Sequence, residues 1–320
     1  MTDSPLLTRF RHTIAELRTG SRWGSAHVYQ STYNMFTLFL RLECPDFEHL
    51  SPLLLKHFEG FLRRRGCRWN TVSTYMRMLR AVYHRALDAG EAVYVPRLFA
   101  HVHTSVGREC KKALPPADMA RLLRAGTGGD ESNPGLSGRE RRSCTLFCLM
   151  FLLRGIPFVD LAYLRKTDIR NSVLRYRRRK THQPLIVSLP AEAGALLAAL
   201  ARDTPSSPYL LPFLNSPEDT EAAYREYQSA LRRVNSDLVT LASRLGIDAR
   251  LSTYTARHTW ATAAYHCGVH PGIISEAMGH SSITVTETYL KPFQYERIDR
   301  ANRQVIDFVR QSPAVLPCGG

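Results

Sequence analysis

Between Ser252 and Tyr289 the chain starts and stops a helix three times in quick succession. Ser252-Thr253 is a good cap for a helix over Tyr254 to Cys267, which Gly268 closes. Pro271-Gly272 opens a second helix and Gly279 stops it. His280 follows directly, on a turn whose glycine is predicted to have a positive φ. Ser281-Ser282 caps a third short helix, predicted to carry Tyr289. Three helix ends crowded together are a way to converge Arg257, His280 and Tyr289. Tyr254 and Arg257 lie at i and i+3, so both reach one point near a helix N-terminus. That end carries the positive pole of the helix dipole and suits an anion. The set fits a site that holds a phosphodiester and attacks it with a phenol.

The charge balance points the same way. The chain carries 43 Lys+Arg against 28 Asp+Glu, a net charge of +15. A globular protein this basic implies a polyanionic partner, nucleic acid above all, and arginine forks suit phosphate. The alternative is a merely solvated basic surface. At 320 residues there is room for two domains with their own cores. No apolar run reaches the ~18 residues of a membrane span. The start, Met1-Thr-Asp-Ser-Pro, lacks a signal-peptide pattern, so the expected location is the cytoplasm. The 7 cysteines are scattered, and Cys144 and Cys148 have no matching second pair, so reduced thiols are expected rather than zinc or disulfides.

Residues 1–100 read as a small helical domain. After an amphipathic lead-in to about residue 20, helices are expected over Ser25 to Leu42, Leu53 to Arg64, and Asn70 to Ala89, with Asn70 as a cap. Ser73, Arg77, Arg80 and His84 line one face of the last helix. With Arg63, Arg64, Arg65 and Arg68 they form a candidate phosphate track, or else an ordinary solvated face. Residues 101–116 read as a linker, and His101 and His103 lack the spacing of a metal site.

Residues 117–311 read as the second domain, with 312–320 as a tail. A helix begins at Pro116, a Gly/Ser/Asn loop covers Gly126 to Gly138, and a strongly apolar helix runs from Arg139 to Leu153. A short helix is expected over Phe158 to Leu164. Strands at Val173 to Arg179 and Leu185 to Leu189 make a hairpin around Thr181-His-Gln-Pro184. Helices over 190–203 and 220–245 follow, separated by a Pro/Ser-rich loop. His258 is read as a supporting or packing residue. The bland alternatives are an ion-pair arginine at 257, a turn histidine at 280 and a packed tyrosine at 289.

The runs Arg257-His258-Thr259-Trp260-Ala261-Thr262, Met278-Gly279-His280-Ser281-Ser282 and Thr286-Glu287-Thr288-Tyr289 resemble the C-terminal signature of the tyrosine recombinase (phage integrase) family. Gly155-Ile-Pro-Phe-Val-Asp160-Leu161-Ala-Tyr-Leu164-Arg-Lys-Thr-Asp168-Ile169 resembles its first motif, and the likeness covers essentially the whole chain. Within the family the wording is similar to integrases of Bacteroides-type mobile elements and to DNA invertases.

The resemblance implies a mainly α fold. A helical core-binding domain would precede an α-rich mixed catalytic domain with a small antiparallel β-sheet. It implies site-specific recombination of double-stranded DNA through a 3′-phosphotyrosyl intermediate, without metal, cofactor or ATP, in integration, excision or inversion. Arg257 would grip the scissile phosphate, His280 would donate to it, Tyr289 would be the nucleophile, and Lys180 would protonate the leaving 5′-oxygen. The alternative for Lys180 is one of several DNA-backbone contacts, since Arg175, Arg177, Arg178 and Arg179 precede it.

Two positions depart from the pattern. Pro157 stands where the family has an arginine, and Arg154 is the proposed replacement if the backbone stays near-helical. Tyr254 stands where the family has a histidine, and a phenol is a poor proton acceptor near neutral pH. Arg77, Arg80, Arg177 and Arg179 are the expected DNA-backbone contacts. A tetramer on DNA, with a possible accessory DNA-bending protein, would be the working assembly. Arg297 to Gln311 is expected to dock on a neighbour or on its own domain. The competing readings are a DNA-binding architectural protein with a decayed site and a type IB topoisomerase.

Overall fold

The computed structural model describes residues 4–40, 46–105, 113–128, 135–201, 206–290, 299 and 302–307. Much of the expected linker, part of the Gly126–Gly138 loop, Arg297, Ile298, Val309, Gln311 and the 312–320 tail lie outside these. The chain divides into two compact units: Met1–Glu109 with Asn215–Gln228, and Cys110–Leu214 with Ser229–Gly320. The sequence reading put all of 117–311 in the second domain. The structure assigns residues 215–228, including the first turns of a long helix, to the first unit.

In the first unit, helices α1 (Pro5–Thr19), α2 (Trp23–Leu40), α3 (Pro52–Arg64) and α4 (Trp69–Asp88) surround one apolar core. Leu6, Phe10, Phe36, Phe58, Leu62, Met76 and Leu79 fill it, and Phe36 meets Phe58 edge-on with centroids 5.0 Å apart. Burying each such side chain stabilises the unit by about 1.5–3 kcal/mol. Ser51 caps α3 by accepting from the Leu54 N–H.

Three expectations here change. Helix α4 begins one residue before Asn70, with Arg68 at the cap position and no side-chain cap bond. Ser73 is fully buried on the core side of α4, so it leaves the basic face. Arg77 is half-buried, with Nε donating to the Ser73 carbonyl and Nη2 to Thr74 Oγ1, both at 3.4 Å. Arg80 and His84 remain exposed. Residues 101–103, expected in a linker, pack on this unit. Val102 is buried, and the His103 N–H donates to Glu59 Oε2 at 2.6 Å.

The second unit is built around α6 (Gly138–Leu152), with α5 (Pro116–Thr127), α8 (Ala191–Leu200) and α10 (Thr253–His266) packed on it. Cys144, Leu146, Phe147, Cys148, Leu149 and Met150 are all buried, as an apolar helix at the centre of a domain requires. Ser137 and Glu140 close a reciprocal capping box at its start. Helix α7 (Phe158–Ala162) follows.

A sheet of order β1-β2-β3 comes next, with β1 (Ile169–Arg170), β2 (Val173–Arg177) and β3 (Pro184–Ser188), all antiparallel. The hairpin expected between β2 and β3 is present, in the register Leu174↔Val187. Strand β1 is an addition. Asn171 and Ser172, with φ of 51° and 56°, make the tight two-residue connection that pairs it with β2. Helices α9 (Glu221–Arg244), α11 (Pro271–Ala277) and α12 (Ile283–Glu287) are also present. Among the described residues no helix is long and apolar enough to cross a membrane.

Candidate active site

Arg257 lies in the first turns of α10 and is only 2% exposed. The backbone of Gly155 runs against it: a Cβ on Gly155 would sit 2.9 Å from Arg257 Cα. The guanidinium donates from Nη1 to the Gly155 carbonyl and from Nη2 to the Met278 carbonyl, each at 2.8 Å. Nη2 also lies 2.8 Å from Nε2 of His280. Burial, then the neighbouring Arg178, pull its pKa down from the ordinary arginine value.

His280 emerges from Gly279, whose φ is +63°, where a side chain would be strained. An arginine has no acceptor, so Nε2 of His280 accepts and the ring proton sits on Nδ1. Nδ1 lies 2.8 Å from the buried Thr286 Oγ1. Burial, Arg257, Arg178 and Lys180 together push the His280 pKa down to about 3. The ring is therefore neutral at neutral pH.

Tyr289 sits in the turn just after α12 rather than on it. It is 7% exposed. Its ring stacks on His280 (centroids 5.0 Å apart, 23° between planes) and lies 4.6 Å from the His258 ring. Its carbonyl accepts from Thr262 Oγ1 at 3.0 Å. Its hydroxyl meets that of Tyr254. Tyr254 is 45% exposed, and burial of its ring and the Tyr289 contact raise its pKa above the ordinary phenol value. His258 is buried, its ring packed against both tyrosine rings.

Arginine, histidine and tyrosine from three successive helix ends thus form one contiguous cluster. The profile described as "Phage integrase family" matches residues 135–295, half of the chain. The chain belongs to the phage integrase family.

The profile described as "Phage integrase SAM-like domain" matches residues 5–96. The chain is similar to the tyrosine recombinase XerD of Bradyrhizobium diazoefficiens, 26% identical over 90% of this chain and 92% of that protein. It is likewise similar to a tyrosine recombinase of Thermosipho africanus, 23% identical over 93% of this chain and 99% of the other. Among solved structures, the Tn1549 transposon integrase in complex with transposon right-end DNA superimposes with a TM-score of 0.64. It shares 13% identity and covers 94% of this chain and 99% of its own. The XerH recombinase in its post-cleavage complex with a palindromic difH substrate gives a TM-score of 0.63 at 16% identity, over 87% and 79%. These two show the fold. Family membership makes the protein a tyrosine site-specific DNA recombinase, and the mainly helical architecture with one small antiparallel sheet is that of its relatives.

The other residues singled out in this integrase-family chain divide. Lys180 is exposed in the turn between β2 and β3, near enough to His280 to help depress its pKa. Thr181 Oγ1 pins that turn to the Gly279 carbonyl at 3.0 Å. Arg154 does not lie on a helical backbone. Helix α6 ends at Leu152, and Arg154 and Gly155 both have positive φ, 58° and 69°. The i,i+3 relation to Pro157 therefore fails, because left-handed residues turn the chain away from the helix axis. Arg154 Nη1 instead donates to the Ile186 carbonyl at 3.3 Å, on a groove of about 860 Å³ that His280 and Ser281 also line. Arg177 is exposed and donates to the His182 carbonyl at 3.2 Å. Arg179 is half-buried, its guanidinium 3.8 Å from the centre of the Tyr163 ring.

Asp160 and Arg178 hold places in the site that motif and spacing alone do not assign to them. Asp160 is buried and paired with Arg178 Nε at 2.5 Å, and its Oδ1 accepts from the Arg179 N–H at 2.9 Å. Burial raises the Asp160 pKa, and Arg178 opposes that rise. Arg178 Nη1 donates to the Met278 carbonyl, the same oxygen that Arg257 binds. A signal for Arg178 was present: Leu174, Tyr176 and Arg178 alternate on one face, with the more exposed Arg175 and Arg177 on the other.

Proposed function

We propose that Tyr289 is the nucleophile of DNA strand cleavage and that Arg257 binds the scissile phosphate of double-stranded DNA. The observation that carries this is the Tyr289 ring stacked on His280, whose Nε2 holds Arg257. The Tyr289 oxygen attacks phosphorus, and the bond to the 5′-oxygen breaks. The Tyr289 proton passes to the hydroxyl of Tyr254, which gives its own proton to water from its exposed side. Lys180 supplies the proton to the departing 5′-oxygen. The phosphate is left on Tyr289 as a 3′ ester, so rejoining needs no external energy source.

Neutral His280 orients the Arg257 guanidinium. The Thr286 hydroxyl can accept from Nδ1–H or donate to bare Nδ1, so it also supports the other tautomer, in which Nε2–H donates to phosphate. Arg154, from its groove, adds positive charge at the same phosphate. Electrostatic stabilisation by such preorganised donors is the main requirement of phosphoryl transfer.

Arg80 and the exposed arginines of the hairpin contact the DNA backbone, and several copies act together on paired DNA sites in the cytoplasm. Two relatives support the DNA reading by what they were solved with, transposon-end DNA and a difH site. The decisive experiment uses nicked duplexes tiled across the DNA flanking the gene. A covalent protein–DNA adduct is expected with the wild-type chain and absent with Tyr289→Phe. No adduct on any duplex, or an adduct that survives Tyr289→Phe, overturns the proposal.

A further inference from the structure

Arg178 and Arg257 are the two buried arginines among the described residues, and they sit side by side. Each has a glycine against its stem. A Cβ on Gly155 would meet Arg257 Cα, and one on Gly279 would meet Arg178 Cγ, both at 2.9 Å. Both guanidinia donate to the Met278 carbonyl, which places the two cations within a few ångströms of each other. Like charges so close and so dry repel strongly unless something negative lies between them.

Among the described residues the carboxylate paired with these guanidinia is Asp160, and it is bound to Arg178. His280 is neutral. Two buried guanidinium charges against one carboxylate leave one positive charge without a partner. Lys180 and Arg154 add to that excess rather than relieve it. A single buried excess charge of this sign is matched by an anion of charge −1, which is the charge of one phosphodiester.

We propose that Arg178 is the second phosphate-binding arginine of this site, held in place by Asp160 and by the close backbone of Gly279. The proposal rests on the reading that the cluster cleaves a phosphodiester. It assigns the second cation to the residue just past the end of β2, not to the first-motif segment, where Pro157 stands. Asp160 reaches across from that segment to hold it. Arg154, by contrast, lies on the groove and points its Nη1 at the Ile186 carbonyl.

Removing Arg178 alone strands a buried carboxylate, so the informative variant is Asp160→Asn/Arg178→Met, with the full chain. Thermal unfolding and duplex binding check that it is folded. The cleavage site is first mapped with the wild-type adduct, and the duplex is then remade with a neutral methylphosphonate at that one linkage. On ordinary DNA the double variant is expected to form adduct about 100-fold or more slowly than wild type. On the methylphosphonate duplex the gap to wild type should largely close, because no phosphate charge is left to neutralise. A variant that cleaves ordinary DNA near the wild-type rate overturns the proposal. So does one equally impaired on both duplexes, since that is the behaviour of a purely structural pair. Failure of the wild-type chain to form any Tyr289-dependent adduct is a separate result. It removes the underlying reading, and Arg178's role with it.

Discussion

Replacing Gly155 by alanine tests how closely the fold couples a backbone position to Arg257, the arginine proposed to bind phosphate. Gly155 has φ of +69°, and an added Cβ would lie 2.9 Å from Arg257 Cα and 3.3 Å from Arg257 Cγ. The left-handed backbone alone costs an L-residue about 1–2 kcal/mol. The overlap is with backbone, which cannot rotate away, and overpacking of this kind adds about 1–3 kcal/mol. Gly268 is the matching control. Its φ is +87°, yet nothing lies within 4 Å of an added Cβ, so Gly268→Ala should show only the conformational cost.

Urea unfolding at neutral pH is expected to show a loss of about 2–5 kcal/mol for Gly155→Ala and about 1–2 kcal/mol for Gly268→Ala. The functional difference should be larger. A shift of the α10 backbone moves the Arg257 guanidinium, and a displacement near 1 Å costs about 100-fold in rate. Single-turnover adduct formation should fall by that order for Gly155→Ala and stay near wild type for Gly268→Ala. Equal stability losses at the two glycines, or full cleavage by Gly155→Ala, would refute the reasoning.

Two other outcomes follow from the site and the basic face. The folded-state pKa of His280 is pushed down to about 3, below the ordinary histidine value of 6.5. The unfolded chain therefore takes up a proton there first, and this group removes stability as pH falls from 6.5 toward 3, with no effect above about pH 7. His280→Gln should flatten the pH dependence of unfolding free energy in that window by up to about 1 kcal/mol per pH unit. An unchanged slope would show that the ring is freely protonated in the folded protein. Arg80→Ala should weaken duplex binding at all sequences alike and reduce the slope of log affinity against log salt by about one. A change in sequence preference with an unaltered slope would place Arg80 on a base edge instead.

The helices were legible because their signals are local. Ser51 caps α3 just ahead of Pro52, and Gly66, Gly90, Gly246, Gly268 and Gly279 all take positive φ at helix or turn ends. The two strand-like runs around Leu174 and Val187, with the turn between them, mark the hairpin. These features depend on residues within a few positions of one another, so the sequence alone determined them. It also set out the order Arg257, His280, Tyr289 and the helix ends that carry them.

Tertiary structure decided which charges are buried and what balances them. Asp160 and Arg178 are 18 positions apart, and Arg178 binds a carbonyl 100 positions further on. No short-range rule reaches across such gaps. The same limit hid the burial of Ser73, the seat of Arg179 on Tyr163, and the turning of Arg154 away from a helical path. Spacing along a chain states which side chains share a face. Burial and pairing depend on what packs against that face, and that is fixed only when distant segments meet.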